Sequence, residues 1–269
     1  METFRKLLVP VDFERPLEPR LRLVAKLAKR LAAVEVTLVH ANESRRDANA
    51  RATMERAAAA ELRGMRTRCV VADGDAARVI VDVARREASD LVVLFPRAPI
   101  GSATRSVLLE ADCDVFSYPP RAAAVERSDV VIRTILCGAD FTANDLIVVP
   151  RAAELARWLG AELTLVHVTP GVQRYGPGGV HDVPELRAAL FAAADQRFRE
   201  VVRDARVEGT RTLVCSADDI AAGLNEAIAQ TGADLVVIGR RACAGFGFSG
   251  GKSHRIASDA IAPVLALRT

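Results

Sequence analysis

The segment RKLLVPVDF at residues 5–13 decides the fold, because it recurs as RTILCGADF at residues 133–141. Each copy is a short apolar run that ends in Asp-Phe, at Asp12 and Asp140, and each precedes a helical pattern, over residues 17–32 and 145–159. A continuous apolar run before an amphipathic helix is typical of a strand buried in a parallel sheet. The sequence therefore predicts two copies of one strand–helix unit.

Three further segments repeat in the same order. VEVTLVH at 34–40 corresponds to AELTLVH at 161–167, SDLVVL at 89–94 to ADLVVI at 233–238, and CDVFSY at 113–118 to APVLAL at 262–267. Helical patterns at 76–87 and 220–231 precede the second pair. Strands that alternate with helices predict an α/β protein of two tandem doubly wound domains, each an open five-stranded, mostly parallel sheet with helices on both faces.

The join between the two halves is PPRAAAVERS at 119–128, and we place the boundary near residue 125. The predicted domains are therefore residues 1–125 and 126–269. The second half is longer, mainly between His167 and Asp234. Its segment 169–184 is rich in glycine and proline, which predicts a long surface loop.

The composition excludes several classes of protein. Hydrophobic residues make up 50% and charged residues 26% of the 269 residues, as in soluble globular proteins. The 37 Lys and Arg against 34 Asp and Glu give a net charge of +3, which is too balanced to predict a nucleic-acid partner. We interpret the abundance of arginine as a composition bias of the genome.

The same sequence favours a cytoplasmic protein without a membrane partner. It has no apolar run of the roughly 18 residues that a membrane span needs, and no apolar signal region at its N-terminus. The cysteines are scattered without CxxC spacing, which argues against disulfides and zinc and for small core side chains. They are Cys69, Cys113, Cys137, Cys215 and Cys243.

A ligand of such a sheet is expected at the carboxyl ends of its strands, where the strand order reverses. Asp12 and Asp140 follow the first strand of each half, and a carboxylate there accepts hydrogen bonds from ribose hydroxyls. The alternative is that each aspartate caps the next helix.

The segment after the fourth strand of the second half, residues 239–253, suits a phosphate group. Its glycines let backbone N–H groups approach an anion, and Arg240, Arg241 and Lys252 add positive charge. The alternative is a glycine-rich mobile loop without a ligand. A true P-loop is not predicted, because its first glycine would fall on Phe246.

The corresponding segment of the first half, FPRAPIGS at 95–102, does not favour phosphate. Phe95 replaces Gly239, and two prolines remove N–H donors. Gly101 and Ser102 suit a weak anion contact or a helix cap.

Taken together, these repeats resemble the universal stress protein family in its tandem, two-domain form, with the adenine nucleotide alpha hydrolase-like, Rossmann-like fold. Nucleotide-binding members carry Gly, two residues, Gly, nine residues, then Gly-Ser/Thr after the fourth strand. Gly239 matches the first glycine, Ala242 replaces the second, and Gly250 approximates the third with two residues fewer. The resemblance implies a degenerate nucleotide site in the second half and a lost one in the first.

The resemblance also implies roles for particular residues. Asp140 contacts ribose, the backbone of Val168 contacts the adenine edge, and the segment from Gly239 to Ser253 holds the phosphates of ATP or AMP, with Mg²⁺ if the ligand is ATP. The implied site residues are Ala139, Asp140, Phe141, Val168, Gly239, Arg240, Arg241, Gly247, Gly250, Gly251, Lys252 and Ser253. The same reasoning is weaker at Asp12, because the phosphate segment of the first half is missing.

The family further implies an assembly in which the final strands of two domains pair. In a tandem chain, residues 115–118 and 264–267 would pair within an internal pseudo-dimer, and a homodimer of whole chains is compatible with it.

Other chemistry is not indicated. His40 and His167 end equivalent strands, which favours a structural role, and no histidine spacing suggests a metal. The acidic pairs Asp73/Asp75 and Asp218/Asp219 precede helices, as N-caps do. Two hypotheses remain: a non-enzymatic stress-response protein that binds an adenine nucleotide, or a nucleotide-independent interaction protein with both sites degenerate. Slow ATP hydrolysis lacks an evident general base.

Overall fold

The computed structural model describes residues 4–42, 49–97, 101–122, 130–171, 173–176, 179–240, 255–257 and 259–269. The first half contains β1 (Lys6–Pro10), α1 (Leu17–Arg30), β2 (Glu35–Ala41), α2 (Ala50–Glu61), β3 (Arg66–Ala72), α3 (Ala76–Arg86), β4 (Leu91–Leu94), α4 (Ser102–Glu110) and β5 (Asp114–Ser117). The second half contains β6 (Thr134–Gly138), α5 (Asp145–Leu159), β7 (Glu162–Pro170), β8 (Gln173–Gly176), β9 (Gly179–Asp182), α6 (Pro184–Asp204), β10 (Arg211–Ala217), α7 (Ile220–Thr231), β11 (Leu235–Arg240) and β12 (Val264–Arg268).

Each half is a doubly wound parallel sheet of five strands. The order is β3-β2-β1-β4-β5 in the first half and β10-β7-β6-β11-β12 in the second, and all neighbours within a half are parallel. The strand order reverses between β1 and β4, and again between β6 and β11. In such sheets the crevice beyond these carboxyl ends is where ligands bind.

The two half-sheets join through their last strands into one ten-stranded sheet. Strands β5 and β12 pair antiparallel, with Val115 opposite Ala266, Phe116 opposite Leu265 and Ser117 opposite Val264. The carboxyl ends of the strands in the two halves therefore point in opposite directions. The pairing satisfies the backbone groups that each half would otherwise expose at its edge.

Alternating strand residues bury their side chains on opposite faces of the sheet. In β1, Leu7 and Val9 pack in the core under α1 and α2, whereas Leu8 packs in the core under α3. In β11, Val237 joins the core under α5, and Val236 joins the core under α7. This burial on both faces explains why the strand sequences are apolar throughout.

The helix ends follow the sequence signals. Asp75 caps α3 by accepting from Arg78 N at 3.0 Å, and Asp219 caps α7 by accepting from Ala221 N at 2.8 Å. Helices α5 and α7 end at Gly160 and Gly232, whose positive φ angles of 66° and 67° suit glycine. The helical patterns at 145–159 and 220–231 predicted the bounds of α5 and α7 correctly.

The segment 169–184 corrects one expectation. It is not a loop throughout, because β7 extends to Pro170 and an antiparallel hairpin of β8 and β9 follows, with Gln173 opposite Asp182 and Gly176 opposite Gly179. Glycine and proline at this spacing mark the ends and turn of a hairpin as well as they mark a loop.

Cys69, Cys113, Cys137 and Cys215 are all free thiols, and Cys243 lies outside the described residues. Among the described helices, none has the length and apolar character that crossing a membrane requires.

Candidate functional site

The candidate site of the second half lies beyond the carboxyl ends of β6 and β11, where the strand order reverses. Ala139 continues the line of β6, since its N–H donates to Val166 O at 2.9 Å, and its side chain is buried. The chain then turns away from the sheet, and Asp140 is exposed at this turn. This position suits a carboxylate that receives hydroxyl groups of a ligand in the crevice.

The turn from β6 to α5 is held by two aspartates. The Asp140 carboxylate accepts from Thr142 Oγ1 at 2.6 Å and from Thr142 N at 3.1 Å. Asp145 reaches back from the start of α5 and accepts from Phe141 N at 2.8 Å and from Asp140 N at 3.3 Å. The N-cap of α5 is Asn144, so the alternative reading of Asp140 as the helix cap is wrong.

Asp145 is almost completely buried, at 3% exposure. Its burial and the neighbouring charge of Asp140 raise the pKa of Asp145 to about 6, despite the two N–H groups that it accepts. Asp145 therefore fixes the backbone that carries Asp140, while Asp140 keeps its carboxylate at the surface.

His167 and Phe141 close the inner side of this turn. His167 Nδ1 donates to Ala139 O at 2.8 Å, and the rings of His167 and Phe141 stack with centroids 4.1 Å apart. Phe141 also meets Phe198 of α6 edge-on at 5.1 Å and has a positive φ of 57°. His40 repeats the arrangement in the first half, since its Nδ1 donates to Val11 O at 3.0 Å and its ring packs against Phe13 with centroids 4.5 Å apart. Both histidines thus tie the end of the first strand to the neighbouring strand, as a structural role requires.

Val168 lies at the carboxyl end of β7, against α7. A Cβ placed on Gly223 of α7 would lie 2.5 Å from Val168 Cγ1, so the helix approaches the strand closely because residue 223 is glycine. Thr169 Oγ1 donates to Cys215 O at 3.1 Å and ties β7 to β10. These contacts fix the backbone of Val168 at the edge of the crevice.

Gly239 lies in β11 and packs against α5. A Cβ at this position would lie 2.9 Å from Val148 Cγ2 and 3.5 Å from Thr269 Cγ2. Glycine is therefore needed here for helix–sheet packing, whatever the ligand.

Arg240 differs from the expectation that it contacts phosphate. Its side chain is buried, at 2% exposure, and donates to Leu108 O at 3.2 Å, to Ala111 O at 2.8 Å and to Cys113 O. Burial lowers the pKa of its guanidinium. All three carbonyl groups belong to the first half, so Arg240 joins the two halves. Its sequence position beside the phosphate segment did not reveal this, because β12 and β5 bring the first half next to β11.

The remaining predicted phosphate contacts lie outside the described residues: Arg241, Gly247, Gly250, Gly251, Lys252 and Ser253. Arg255 forms an ion pair with Asp219, the N-cap of α7. The structure thus brings together Ala139, Asp140, Phe141, Val168 and Gly239 at the edges of β6, β7 and β11.

The equivalent place in the first half is filled by arginines. Asp12 forms ion pairs with Arg15 at 3.4 Å, Arg20 at 3.2 Å and Arg97 at 3.3 Å. Arg20 also donates to Asp12 O at 2.7 Å, and Arg15 donates to Phe95 O at 2.6 Å. We call Asp12, Arg15, Arg20 and Arg97 the arginine cluster.

The cluster sets the electrostatics of the first half. Burial alone would raise the pKa of Asp12, but the positive charges of Arg20, Arg15 and Arg97 outweigh it and lower that pKa below its usual range. Asp12 is therefore an ionised carboxylate with three cationic partners. It is not the N-cap of α1, which is Pro16.

The sequence did not predict this cluster. Arg97 is far from the other three members along the chain, and arginine was interpreted as composition bias. The one available signal was the spacing of Arg15 and Arg20 on either side of the start of α1, close to Asp12.

Comparison with known proteins completes the description of the site. The family model described as the universal stress protein family matches residues 3–119 and 132–268. A universal stress protein from Archaeoglobus fulgidus DSM 4304 has a TM-score of 0.69 at 16% identity, covering 100% of this chain and 99% of that one. A putative universal stress protein from Pseudomonas aeruginosa UCBPP-PA14 has a TM-score of 0.65 at 17% identity, covering 98% and 93%. A search of curated proteins gave no match.

Proposed function

Because the chain belongs to the universal stress protein family, we propose that it is a cytoplasmic stress-response protein that binds one adenine nucleotide in its second half and catalyses no reaction. The observation that carries the proposal is the contrast between two equivalent aspartates. Asp140 is exposed, and its carboxylate accepts hydrogen bonds from Thr142 N and Thr142 Oγ1. Asp12 is held by three arginines.

The residues of the second half fit an adenine nucleotide. The exposed Asp140 carboxylate retains lone pairs that accept ribose hydroxyls. The backbone of Val168, at the end of β7, offers hydrogen bonds to the edge of a base. Gly239, Arg241, Gly247, Gly250, Gly251, Lys252 and Ser253 would hold the phosphates, and an ATP ligand would bring Mg²⁺ on its own phosphate oxygens.

Binding of ATP and AMP, measured by calorimetry, tests the proposal. We expect one nucleotide per chain. Asp140→Ala should weaken binding by at least about tenfold, because it removes a hydrogen bond to a charged acceptor. The matched control is Asp12→Ala, which should leave the affinity unchanged. Equal losses in the two variants would contradict the asymmetry of the halves.

Substitution of Gly239 is not a clean test, because a side chain there meets Val148. Lys252→Ala is better, since it removes a charge and adds no atoms. We expect Lys252→Ala to weaken ATP, which has three phosphates, more than AMP, which has one. Equal effects on ATP and AMP would place Lys252 away from the β- and γ-phosphates.

A second candidate function is a nucleotide-independent regulatory interaction protein. The packing of Gly239 against Val148 favours it, because this packing explains the best-matched glycine of the nucleotide pattern without any ligand. The absence of binding at millimolar ATP and AMP, together with no nucleotide in the purified protein, would decide for this second candidate.

A further inference from the structure

The arginine cluster of the first half has more positive charge than its aspartate balances. Three guanidinium groups surround the single carboxylate of Asp12. A second carboxylate, Glu14, pairs with Arg97, but its side chain is 72% exposed and lies at the outer side of the cluster. Three guanidinium groups against the two carboxylates of Asp12 and Glu14 leave one positive charge in excess.

The members of the cluster differ in how many donors they have used. Arg20 is nearly saturated: it donates to Asp12 Oδ2 at 3.2 Å, Asp12 O at 2.7 Å, Arg15 O at 2.8 Å and Pro16 O at 3.1 Å. Arg15 donates through Nη2, whereas its Nε is buried and has no hydrogen-bond partner among the described residues. A buried donor without a partner costs free energy.

Solvent reaches the outer parts of the Arg15 and Arg97 side chains. The side chains of Arg15 and Arg97 are 37% and 45% exposed, and that of Arg20 is 10% exposed. The cluster lies at the carboxyl ends of β1 and β4, where the strand order reverses, and α1 begins two residues after Arg15 without a side-chain cap. The partial positive charge of that helix end adds to the charge of the arginines.

We propose that the arginine cluster is a binding site for a phosphate dianion or a phosphomonoester, held by Arg15 and Arg97 and backed by Arg20. Guanidinium groups match phosphate oxygens through paired N–H donors, and the positive charge in excess favours an anion. Asp12 keeps the guanidinium groups in place, and its carboxylate is engaged by them instead of accepting ribose hydroxyls, so the site disfavours an adenine nucleotide. This proposal is independent of nucleotide binding in the second half.

The test is a calorimetric titration of the full chain with inorganic phosphate and, separately, with glycerol 3-phosphate, at low ionic strength. Saturable binding of either probe is the expected result. Tighter binding of glycerol 3-phosphate identifies a phosphomonoester, and equal or tighter binding of inorganic phosphate identifies the free ion. Arg15→Gln and Arg97→Gln should each weaken binding about tenfold.

The matched control is Arg30→Gln, which makes the same charge change at the other end of α1. It should leave phosphate binding unchanged. Arg15→Lys retains the charge and removes the Nε donor, so it should bind phosphate more weakly than the wild type even if Arg15→Gln folds poorly.

A second variant separates this site from the second half. Lys252→Ala should retain phosphate binding to the cluster while it weakens ATP. The proposal is overturned if neither probe binds at millimolar concentration, or if Arg15→Gln and Arg97→Gln together leave the affinity unchanged. It is also overturned if Lys252→Ala alone abolishes phosphate binding.

Discussion

Single residues distinguish the two otherwise similar turns after the first strand of each half. Asp145 begins α5 and accepts backbone N–H groups of the turn, whereas the equivalent first residue of α1 is Leu17, which is buried in the core. In the first half Arg20 stabilises the turn instead, by donating to the carbonyl groups of Asp12, Arg15 and Pro16. One turn is therefore held by a carboxylate and the other by a guanidinium.

This difference predicts a pH effect at Asp145. Its pKa is raised from 3.8 to about 6 on folding, so the folded chain takes up the proton more readily than the unfolded chain, and this contribution to stability falls as pH rises between about 4 and 6. Asp145→Asn has no carboxyl to ionise. Relative to wild type, the variant should gain on the order of 2 kcal/mol as pH is raised from 4 to 7, measured by urea unfolding. Parallel pH curves for the two proteins would contradict the prediction.

At the scale of elements, the close approach of α7 to β7 depends on one small residue. Gly223 lies inside a helix, where replacement by alanine normally stabilises by roughly 1 kcal/mol. Here the added methyl group would meet Val168 at 2.5 Å. The clash with Val168 therefore outweighs the stabilisation that alanine normally brings inside a helix.

We expect Gly223→Ala to destabilise the protein by about 1 to 3 kcal/mol, because overpacking forces α7 or β7 to shift. In a Val168→Ala background the same substitution should cost much less, since both Val168 methyl groups are gone and the remaining neighbour, Ala217 Cβ, lies 3.2 Å from the added Cβ. A double-mutant cycle by denaturant unfolding measures this coupling. Additive effects of the two substitutions on the free energy of unfolding would show that a side chain at residue 223 does not clash with Val168.

At the scale of the molecule, charged side chains reinforce the seam between β5 and β12. Arg240 reaches from β11 to three carbonyl groups around Ala111, and Arg268 N donates to Asp114 Oδ1 at 2.7 Å. Arg151 of α5 pairs with the same aspartate at 2.5 Å. The second half thus holds the turn between α4 and β5 of the first half from several sides.

Arg240→Ala should lower the free energy of unfolding by about 3 kcal/mol, because it leaves buried carbonyl groups without donors. Arg85→Ala is the matched control. Arg85 pairs with Asp112 in the same turn, but its side chain is 60% exposed, so its loss should destabilise the protein much less than the loss of Arg240. Urea unfolding of both variants measures the difference. If the two losses are equal, Arg240 is not a main contact of the seam.

Strands and helices with a clear local sequence pattern could be predicted from the sequence. Contacts between residues that are distant in the sequence could not. The apolar runs and the repeat located β1, β2, β4, β6, β7 and β11, and the periodicity of residues 145–159 gave α5. Helix α2 and strand β3 were not placed, because strong periodicity is lacking: β3 is half-exposed at the sheet edge, as its Arg66–Arg68 segment shows. The role of Arg240 and the convergence of Arg97 on Asp12 arise only when the chain folds, since their partners are distant in sequence.

The antiparallel seam also bears on how such a chain can evolve. In a symmetric pair of identical subunits, each substitution appears at both ends of the assembly. Here one gene encodes both ends separately, while a single sheet still joins them. Arg15 and Arg20 correspond by position after the first strand to Ala143 and Val148, so the arginines of one end have no counterpart at the other. In a fused chain the residues of each crevice can therefore change independently. The ten-stranded sheet that joins the two halves constrains the sequence of both.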